Sequence, residues 1–217
     1  CIHVVPLQLN WDGHVYLDGQ GLTPDEFYRR LRSSHAHPST ATPSVGQLIA
    51  AFRRAAEGAD AVVAILLTET LSSTINVARR AAQEVRTPFH IVDSGTAANS
   101  QGFVVLAAAR DASRGASLSQ VIATAQACQK RVGLVLTMET LEHLRRGGRI
   151  GRAATFLGTQ LSIQPVLALA NGQVQPIAAR RTRKAAIDRI VAEVHKVVRE
   201  KPIRASVFHG DAAPEAL

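Results

Sequence analysis

The sequence predicts an α/β fold with two lobes, the first built on a parallel sheet flanked by helices and the second on a smaller sheet with a hairpin and helices. Two continuous apolar runs, AVVAILL at residues 61–67 and FHIV at 89–92, are each followed by a helical pattern. Such runs are typical of parallel strands buried on both faces. After about Lys130 this alternation of buried strands and helices changes, so we predict lobes over residues 1–130 and 131–217.

The helices of the first lobe are predicted from their capping residues. Thr23 and Glu26 have the spacing of a capping box, with a proline at the first helical position between them. Ser44 and Gln47 repeat this spacing before a second helix, which Gly58 ends. The other predicted elements are a strand that starts at residue 1 and turns at 11–13, a helix over 73–85, and helices on both sides of residues 111–117.

The second lobe is predicted from turn and helix-stop signals. A strand at residues 133–137 precedes a short helix that two consecutive glycines stop. Asn171-Gly172, the strongest short hairpin signal, joins two strands within residues 161–180. Residues 205–210 are predicted to start another strand. Between the hairpin and residues 205–210 lies a long amphipathic helix. Its apolar face contains Ile187, Ile190, Val191, Val194, Val197 and Val198.

Composition and charge narrow the function classes. No apolar run approaches the roughly 18 residues that span a bilayer, and we expect neither a signal peptide nor stable membrane insertion. Cys1 and Cys128 form no disulfide or zinc pattern, so we expect a cytoplasmic location and no metal. The net charge is +8, and residues 129–204 contain 15 Lys or Arg against 5 Asp or Glu. This imbalance predicts an anionic partner, but nucleic acid is disfavoured because Phe156 is the only aromatic residue in that stretch.

Hydroxyl-rich loops lie where the predicted strands meet helix N-termini. Residues 68–74 and 93–102 follow the two buried strands, and residues 38–44 lead into a helix. Hydroxyls and backbone N–H groups at such positions bind anions, and they equally serve as ordinary helix caps, so both interpretations stay open. Further candidates, each with a plain surface or capping alternative, are Asp93, Ser94, His209 and the arginines Arg145, Arg146, Arg149 and Arg152.

The order of the motifs resembles the DegV family of bacterial fatty-acid-binding proteins. PSTATPS stands where the family has P-x-T-S-Q-P-S, and LTETLSSTINVARRA is similar to L-S-G-T-Y-Q-S-A with its preceding residues. IVDSGTAANSQGF is similar to the family's V-I-D-S loop, and LEHLRRGGRIGR is similar to its G-G-R-I-S signature. The predicted hairpin, followed by RRTRKA, is similar to the family's hairpin and its R-T-x-K-A segment. The correspondence runs in order over essentially the whole chain, as an internal portion of the family pattern.

The resemblance implies a lipid carrier without enzymatic activity or a cofactor, which buries one long-chain fatty acid between its lobes. The Thr and Ser that bind the carboxylate match Thr40 and Ser72 here. A separate fatty-acid kinase is the implied partner, to which the carrier presents the carboxylate for phospholipid synthesis. Residues implied near the head group or the partner-docking surface are Ser39, Thr74, Ser94, Arg149, Arg181 and His209.

The loops depart from the family pattern at several positions. Ala41 and Thr42 replace Ser-Gln, Ser73 replaces a Gly, and Gly151 replaces the Ser after GGRI. The alternative function is a hydrolase or phosphotransferase that acts on a small acidic substrate in the same cleft through Ser72 or Asp93. Such an enzyme requires a general base close to its nucleophile. None of the eight histidines has motif spacing, and no GxSxG or GxxxxGK[ST] motif is present.

Overall fold

The computed structural model describes residues 2–34, 36–157, 163–199 and 201–210. We call residues 2–130 the N-terminal part and residues 131–210 the C-terminal part; that the two are separate domains stays a prediction. The strands are β1 (Gln8–Trp11), β2 (His14–Leu17), β3 (Ser39–Ala41), β4 (Val62–Leu66), β5 (Phe89–Asp93), β6 (Leu134–Thr137), β7 (Gln164–Ala170) and β8 (Gln173–Arg180). The helices are α1 (Pro24–Ser33), α2 (Val45–Ala56), α3 (Thr74–Ala82), α4 (Ala98–Ser113), α5 (Leu118–Gln129), α6 (Glu142–Arg146) and α7 (Arg183–Val198), with a 3-10 helix at Gly151–Phe156.

A parallel pair of strands forms the centre of the N-terminal part. β4 and β5 pair from Val62 opposite Phe89 to Leu66 opposite Asp93. Because side chains alternate along a strand, the pair has two apolar faces. One face packs against the core that contains the α2 and α3 residues Leu48, Phe52, Ala78 and Ala81. The other packs against the core that contains the α4 and α5 residues Val104, Ala108, Val121 and Ala125.

A small antiparallel sheet of order β2-β1-β3 accompanies this layer. Asp12 and Gly13 turn the β1–β2 hairpin with φ values of 49° and 75°. The segment expected to be a loop before α2 contains β3, in which Thr40 pairs with Leu9 of β1. Trp11 is 1% exposed and packs edge-on against Phe27 of α1, with ring centroids 5.3 Å apart. The sheet is thereby anchored to α1.

The C-terminal part is built on the antiparallel sheet β6-β7-β8. Asn171 and Gly172 join β7 to β8 with φ values of 50° and 73°, as a type I′ turn requires. Helix α7 lies against all three strands, and the 3-10 helix lies against β8. The core contains Leu141, Ala153, Leu167, Leu169 and Val174, and Leu71 and Ala97 of the N-terminal part pack against it. The two parts therefore share apolar contacts beside the loops that follow β4 and β5.

Local predictions were confirmed more often than non-local ones. Both capping boxes are present, with Thr23 Oγ1 accepting from the Glu26 amide at 3.3 Å and Ser44 Oγ accepting from the Gln47 amide at 3.2 Å. The predicted strand at residues 205–210 is wrong, because none of the described strands pairs with this segment; Ser206 Oγ instead accepts from Asn99 Nδ2 at 2.7 Å. Helix α3 ends three residues earlier than predicted, and the first strand begins only at residue 8.

Some predictions concern residues outside the described ranges. These are the N-terminal Cys1, the first hairpin residues Leu161 and Ser162, and residues 211–217 of the second lobe. Within the described ranges, no helix has the length and apolar character needed to cross a bilayer.

Candidate functional site

A cavity of about 280 Å³ lies at the carboxyl end of β4. Four separate segments meet there: the residue before β1, the end of β3, the loop between β4 and α3, and the residue that follows the glycine pair after α6. The lining combines apolar side chains with hydroxyl groups and one guanidinium: Leu7, Thr40, Ala41, Thr42, Leu67, Leu71, Ser72, Ser73 and Arg149. Carboxyl ends of parallel strands are where α/β folds place their ligands.

The loop after β4 presents Ser72 through a tight turn. The Thr68 carbonyl accepts from the amides of Leu71 at 3.1 Å and of Ser72 at 3.3 Å, while the Thr68 amide donates to the Thr96 carbonyl at 2.9 Å. Ser72 Oγ lies 2.8 Å from Thr74 Oγ1 and accepts from the Thr74 amide at 3.3 Å. Since α3 starts at Thr74, the Ser72 hydroxyl lies beside the positive end of a helix dipole.

Strand β3 brings Thr40 to the other side of the cavity. Thr40 is exposed and pairs with Leu9, while Ser39 pairs with Asn10. Thr40 lines the cavity together with Ala41 and Thr42, which follow it in the chain, and the predicted neighbour Ser39 does not line it.

Arg149 supplies the charge of the site. Its Nε donates to the Leu71 carbonyl at 2.9 Å, and its Nη1 donates to the Gly147 carbonyl. A guanidinium has five N–H donors, so Arg149 can hold the loop and still donate to an anion. The preceding Gly148 has a φ of 70°, which a non-glycine residue rarely adopts.

The neighbouring arginines of α6, unlike Arg149, form ion pairs with a carboxylate. Arg145 Nη2 and Glu142 Oε1 are 2.8 Å apart, and Arg146 contacts the same carboxylate. Hydrogen bonds from Arg145 and Arg146 lower the pKa of Glu142 to about 2. A carboxylate thus offsets these two charges, whereas the partners of Arg149 are neutral carbonyl groups.

The remaining predicted residues lie apart from the cavity or support it. Ser94 is 0% exposed and its hydroxyl donates to the Thr96 carbonyl at 3.1 Å, which is a turn-forming role. Thr74 is buried and touches the site only through Ser72. Arg181 lies exposed between β8 and α7, and His209 lies exposed in the segment after α7. Neither lines the cavity.

Asp93, a candidate for metal binding or capping, stabilises the loops. Its carboxylate accepts from the Gly95 amide at 2.7 Å and from the Glu69 amide at 3.2 Å, so it links the loop after β5 to the loop after β4. Across the described part of the chain, no group of three or more His, Cys, Asp or Glu side chains could hold a metal ion.

The apolar lining was not anticipated from the sequence. Leu67 directly precedes the hydroxyl-rich loop and Leu71 lies within it, and these apolar residues among the hydroxyls are a signal that could have been used. Leu7 has no such signal, because it reaches the cavity only through the pairing of β1 with β3.

The fold and the site together define a class: an α/β protein with a small cavity that joins hydroxyl and guanidinium donors to apolar walls. The family model described as "Uncharacterised protein, DegV family" matches residues 1–217. The chain therefore belongs to the DegV family, as its motifs indicated.

Individual relatives agree with this assignment. A DegV domain-containing protein of Deinococcus radiodurans is 34% identical over 194 residues, which are 89% of this chain and 69% of the relative. The structure of a DegV family protein from Thermus thermophilus, described by its fatty acid binding, has a TM-score of 0.83 and 36% identity, over 90% of this chain and 70% of that one. DegV of Bacillus subtilis, described as a fatty acid binding protein, has a TM-score of 0.85 and 30% identity, over 98% and 76%. The predicted fold class is confirmed.

Proposed function

We propose that this protein binds one long-chain fatty acid, whose carboxylate is held by Thr40, Ser72 and Arg149. The observation that carries the proposal is that these three donors come from three separate segments and line one small cavity whose other walls include leucine side chains. The Thermus and Bacillus relatives that are described as binding fatty acids support it.

The chemistry of the lining fits an amphiphilic acid. A carboxylate that leaves water must be hydrogen-bonded, and charge-assisted bonds are the strongest available. The N-terminus of α3 adds a favourable dipole next to Ser72. Ligand pockets commonly measure about 300–1,000 Å³, so we assign this cavity of about 280 Å³ to the head-group end of the ligand.

The hydrocarbon tail supplies most of the affinity. At ~0.8 kcal/mol per buried CH₂ group, about 15 methylenes contribute on the order of 12 kcal/mol before the costs of association are subtracted. The head-group contacts then select an acid over an uncharged lipid, because only an anion uses the guanidinium fully.

We further propose that the protein is a cytoplasmic carrier that presents the carboxylate to a separate fatty-acid kinase. The partner of the Ser72 hydroxyl is Thr74, which is not a general base, and the Asp93 carboxylate is engaged by two backbone amides. Neither arrangement favours the hydrolase or phosphotransferase alternative. The basic C-terminal part, with Arg181 and His209 as predicted docking residues, suits an acidic partner surface.

Mass spectrometry of the purified protein tests fatty-acid binding. We expect one equivalent of fatty acid, observed first in the native protein and then after organic extraction. The variant carrying Thr40→Val and Ser72→Ala should bind about 30-fold more weakly, since two hydrogen bonds are lost and each makes a net contribution of about 0.5–1.5 kcal/mol.

The two outcomes against the proposal are separable. A wild-type protein that contains no fatty acid and takes none up overturns fatty-acid binding. A folded double variant with wild-type affinity overturns only the head-group assignment. Kinase presentation is tested by adding ATP and a bacterial fatty-acid kinase to the loaded protein. We expect acyl phosphate only when the kinase is present; formation without it would favour the enzyme alternative.

A further inference from the structure

The two parts of the chain touch at the loop that carries Ser72. The turn at Asn171-Gly172, which joins β7 to β8, lies against this loop. Thr70 Oγ1 donates to the Gly172 carbonyl, and Thr68 Oγ1 lies 3.2 Å from Thr70 Oγ1. We call Thr68, Thr70 and Gly172 the hairpin latch.

Only glycine permits this approach. Gly172 has a φ of 73°, a conformation that residues with a side chain rarely adopt. A Cβ atom placed there would lie 2.6 Å from Thr68 Oγ1 and 2.7 Å from Thr70 Oγ1, which is too close for either hydroxyl to keep its position. The Asn-Gly turn therefore makes the hairpin and also makes room for the latch.

The latch acts on the base of the turn that presents Ser72. A hydroxyl has one proton, and Thr70 donates its proton to Gly172, so Thr68 is the donor between the two threonines. Thr68 is 1% exposed, and its carbonyl accepts from the amides of Leu71 and Ser72. Holding Thr68 therefore holds the backbone of Ser72.

The C-terminal part contacts the same loop a second time, through Arg149 and through the core that Leu71 packs against. Arg149 Nε donates to the Leu71 carbonyl at 2.9 Å, and the Leu71 side chain packs against the core of the C-terminal part. Residues 70 and 71 are thus bound to the C-terminal part, while the amides of residues 68 and 69 are bound to the loop after β5.

We propose that the hairpin latch positions Ser72 for the ligand carboxylate, with Thr70 and Gly172 as positioning residues that do not touch the ligand. This inference rests on the proposed function, because it explains how Ser72 of the same site is held in position before the fatty acid binds. Donors that are already in place before binding give higher affinity, since less ordering is needed when the ligand arrives. The C-terminal part would then contribute to head-group binding through its hairpin as well as through Arg149.

Three single variants test the latch. Thr70→Val removes the donated proton, Thr70→Ser keeps it, and Thr155→Val is a matched control in which an exposed threonine loses a hydroxyl bond to a backbone carbonyl elsewhere. We expect Thr70→Val to weaken fatty-acid binding about fivefold, which corresponds to one neutral hydrogen bond. Thr70→Ser and Thr155→Val should bind within about twofold of wild type.

A double-mutant cycle with Ser72→Ala separates positioning from general stability. If the latch acts through Ser72, Thr70→Val adds no further loss once Ser72 is alanine. A fivefold loss that persists in the Ser72→Ala background overturns the proposal, as does wild-type binding by Thr70→Val.

Amide hydrogen exchange of the ligand-free proteins tests the latch without using function. The amides of Leu71 and Ser72 should exchange faster in Thr70→Val than in Thr70→Ser, and equal exchange overturns the latch. A wild-type protein that binds no fatty acid overturns the proposed function and the coupling of the latch to binding. The exchange measurement still decides in that case whether the hairpin holds the loop.

Discussion

Two cavities of similar size lie at opposite ends of the β4–β5 sheet, and their linings differ. The cavity at the carboxyl end measures about 280 Å³ and has hydroxyls, leucines and Arg149 around it. The cavity at the amino end measures about 320 Å³ and is lined by Arg53, Ala56, Glu57, Glu84, Val85, Arg86 and Thr87. It is the larger of the two, yet its lining contains two glutamates as well as two arginines, and it lies where α2 and α3 end.

The difference indicates that lining and helix polarity, rather than volume, distinguish the proposed carboxylate site from the other cavity. Balanced charges leave little net attraction for an anion, and the negative end of a helix dipole repels one. The carboxyl-end cavity has one guanidinium whose partners among the described residues are neutral carbonyl groups, together with the positive end of α3. We make four predictions about how far these features decide where an anion binds.

Arg149→Gln should have the largest effect. Removing the guanidinium takes away the one charged group among the described residues of the lining, and we expect fatty-acid affinity to fall about 10–100-fold. The methyl ester of the same acid should lose much less, because it has no charge to bind. Titration calorimetry with both ligands measures this, and Arg152→Gln on the nearby 3-10 helix is the control. Equal losses for acid and ester would contradict a charge-based role for Arg149.

Ser72→Ala should cost more affinity than Thr40→Val. We expect losses of about tenfold and about threefold respectively, within the net contribution of about 0.5–1.5 kcal/mol that a single hydrogen bond makes. Ser72 lies at a helix N-terminus, on a loop that is hydrogen-bonded to both the N-terminal and the C-terminal part. Thr40, in contrast, is exposed on a three-residue strand. Competition with a fluorescent fatty acid gives both values under the same conditions. The reverse order would show that the β3 side dominates head-group binding.

Removal of charge at the amino-end cavity should change fatty-acid binding little. Arg53→Gln and Arg86→Gln lie outside the proposed site, so we expect affinities within about twofold of wild type. The same titration serves as the measurement. A loss comparable to that of Arg149→Gln would mean that the larger cavity binds the acid, and the comparison between the two ends would fail.

The ion pairs of Glu142 should give the smallest effect, and on stability alone. Hydrogen bonds from Arg145 and Arg146 hold the pKa of Glu142 at about 2, below the ordinary value of 4.5. Their contribution is therefore present above pH 4.5 and is lost as the pH falls towards 2. Because the group is exposed, we expect Glu142→Gln to lower the melting temperature by under about 2 °C near neutral pH. Thermal denaturation at several pH values checks this, and a difference that grows on acidification would have the wrong sign.

Local hydrogen bonding explains which elements could be predicted from the sequence. Thr23 and Ser44 each bond an amide three residues on, so the start of α1 and of α2 can be recognised in a short window. Asn171-Gly172 requires two positive φ values, which these residue types tolerate. The anion-site interpretation was local in the same sense, since it depended on hydroxyl types near predicted strand ends, whereas the assignment of Thr40 and Ser72 to a carboxylate came from the resemblance to the DegV family.

Non-local pairing explains what could not be predicted. Strand β3 exists because β1 accepts it as a neighbour, and residues 205–210 have strand-like composition without a partner strand. Ser94 resembles the site hydroxyls in the sequence, but its side chain is turned to the Thr96 carbonyl and is fully buried.

Local sequence patterns specify the alternation of strands and helices, the helix starts, the hairpin, and the residue types available to bind an anion. Which of those residues meet depends on the tertiary structure. Arg149 and Leu71 are 78 positions apart, and Thr70 and Gly172 are 102 positions apart. Such contacts depend on how the C-terminal sheet packs against the loops of the N-terminal part. Capping and turn chemistry act over a few residues, whereas the cavity forms only when apolar burial brings distant segments together.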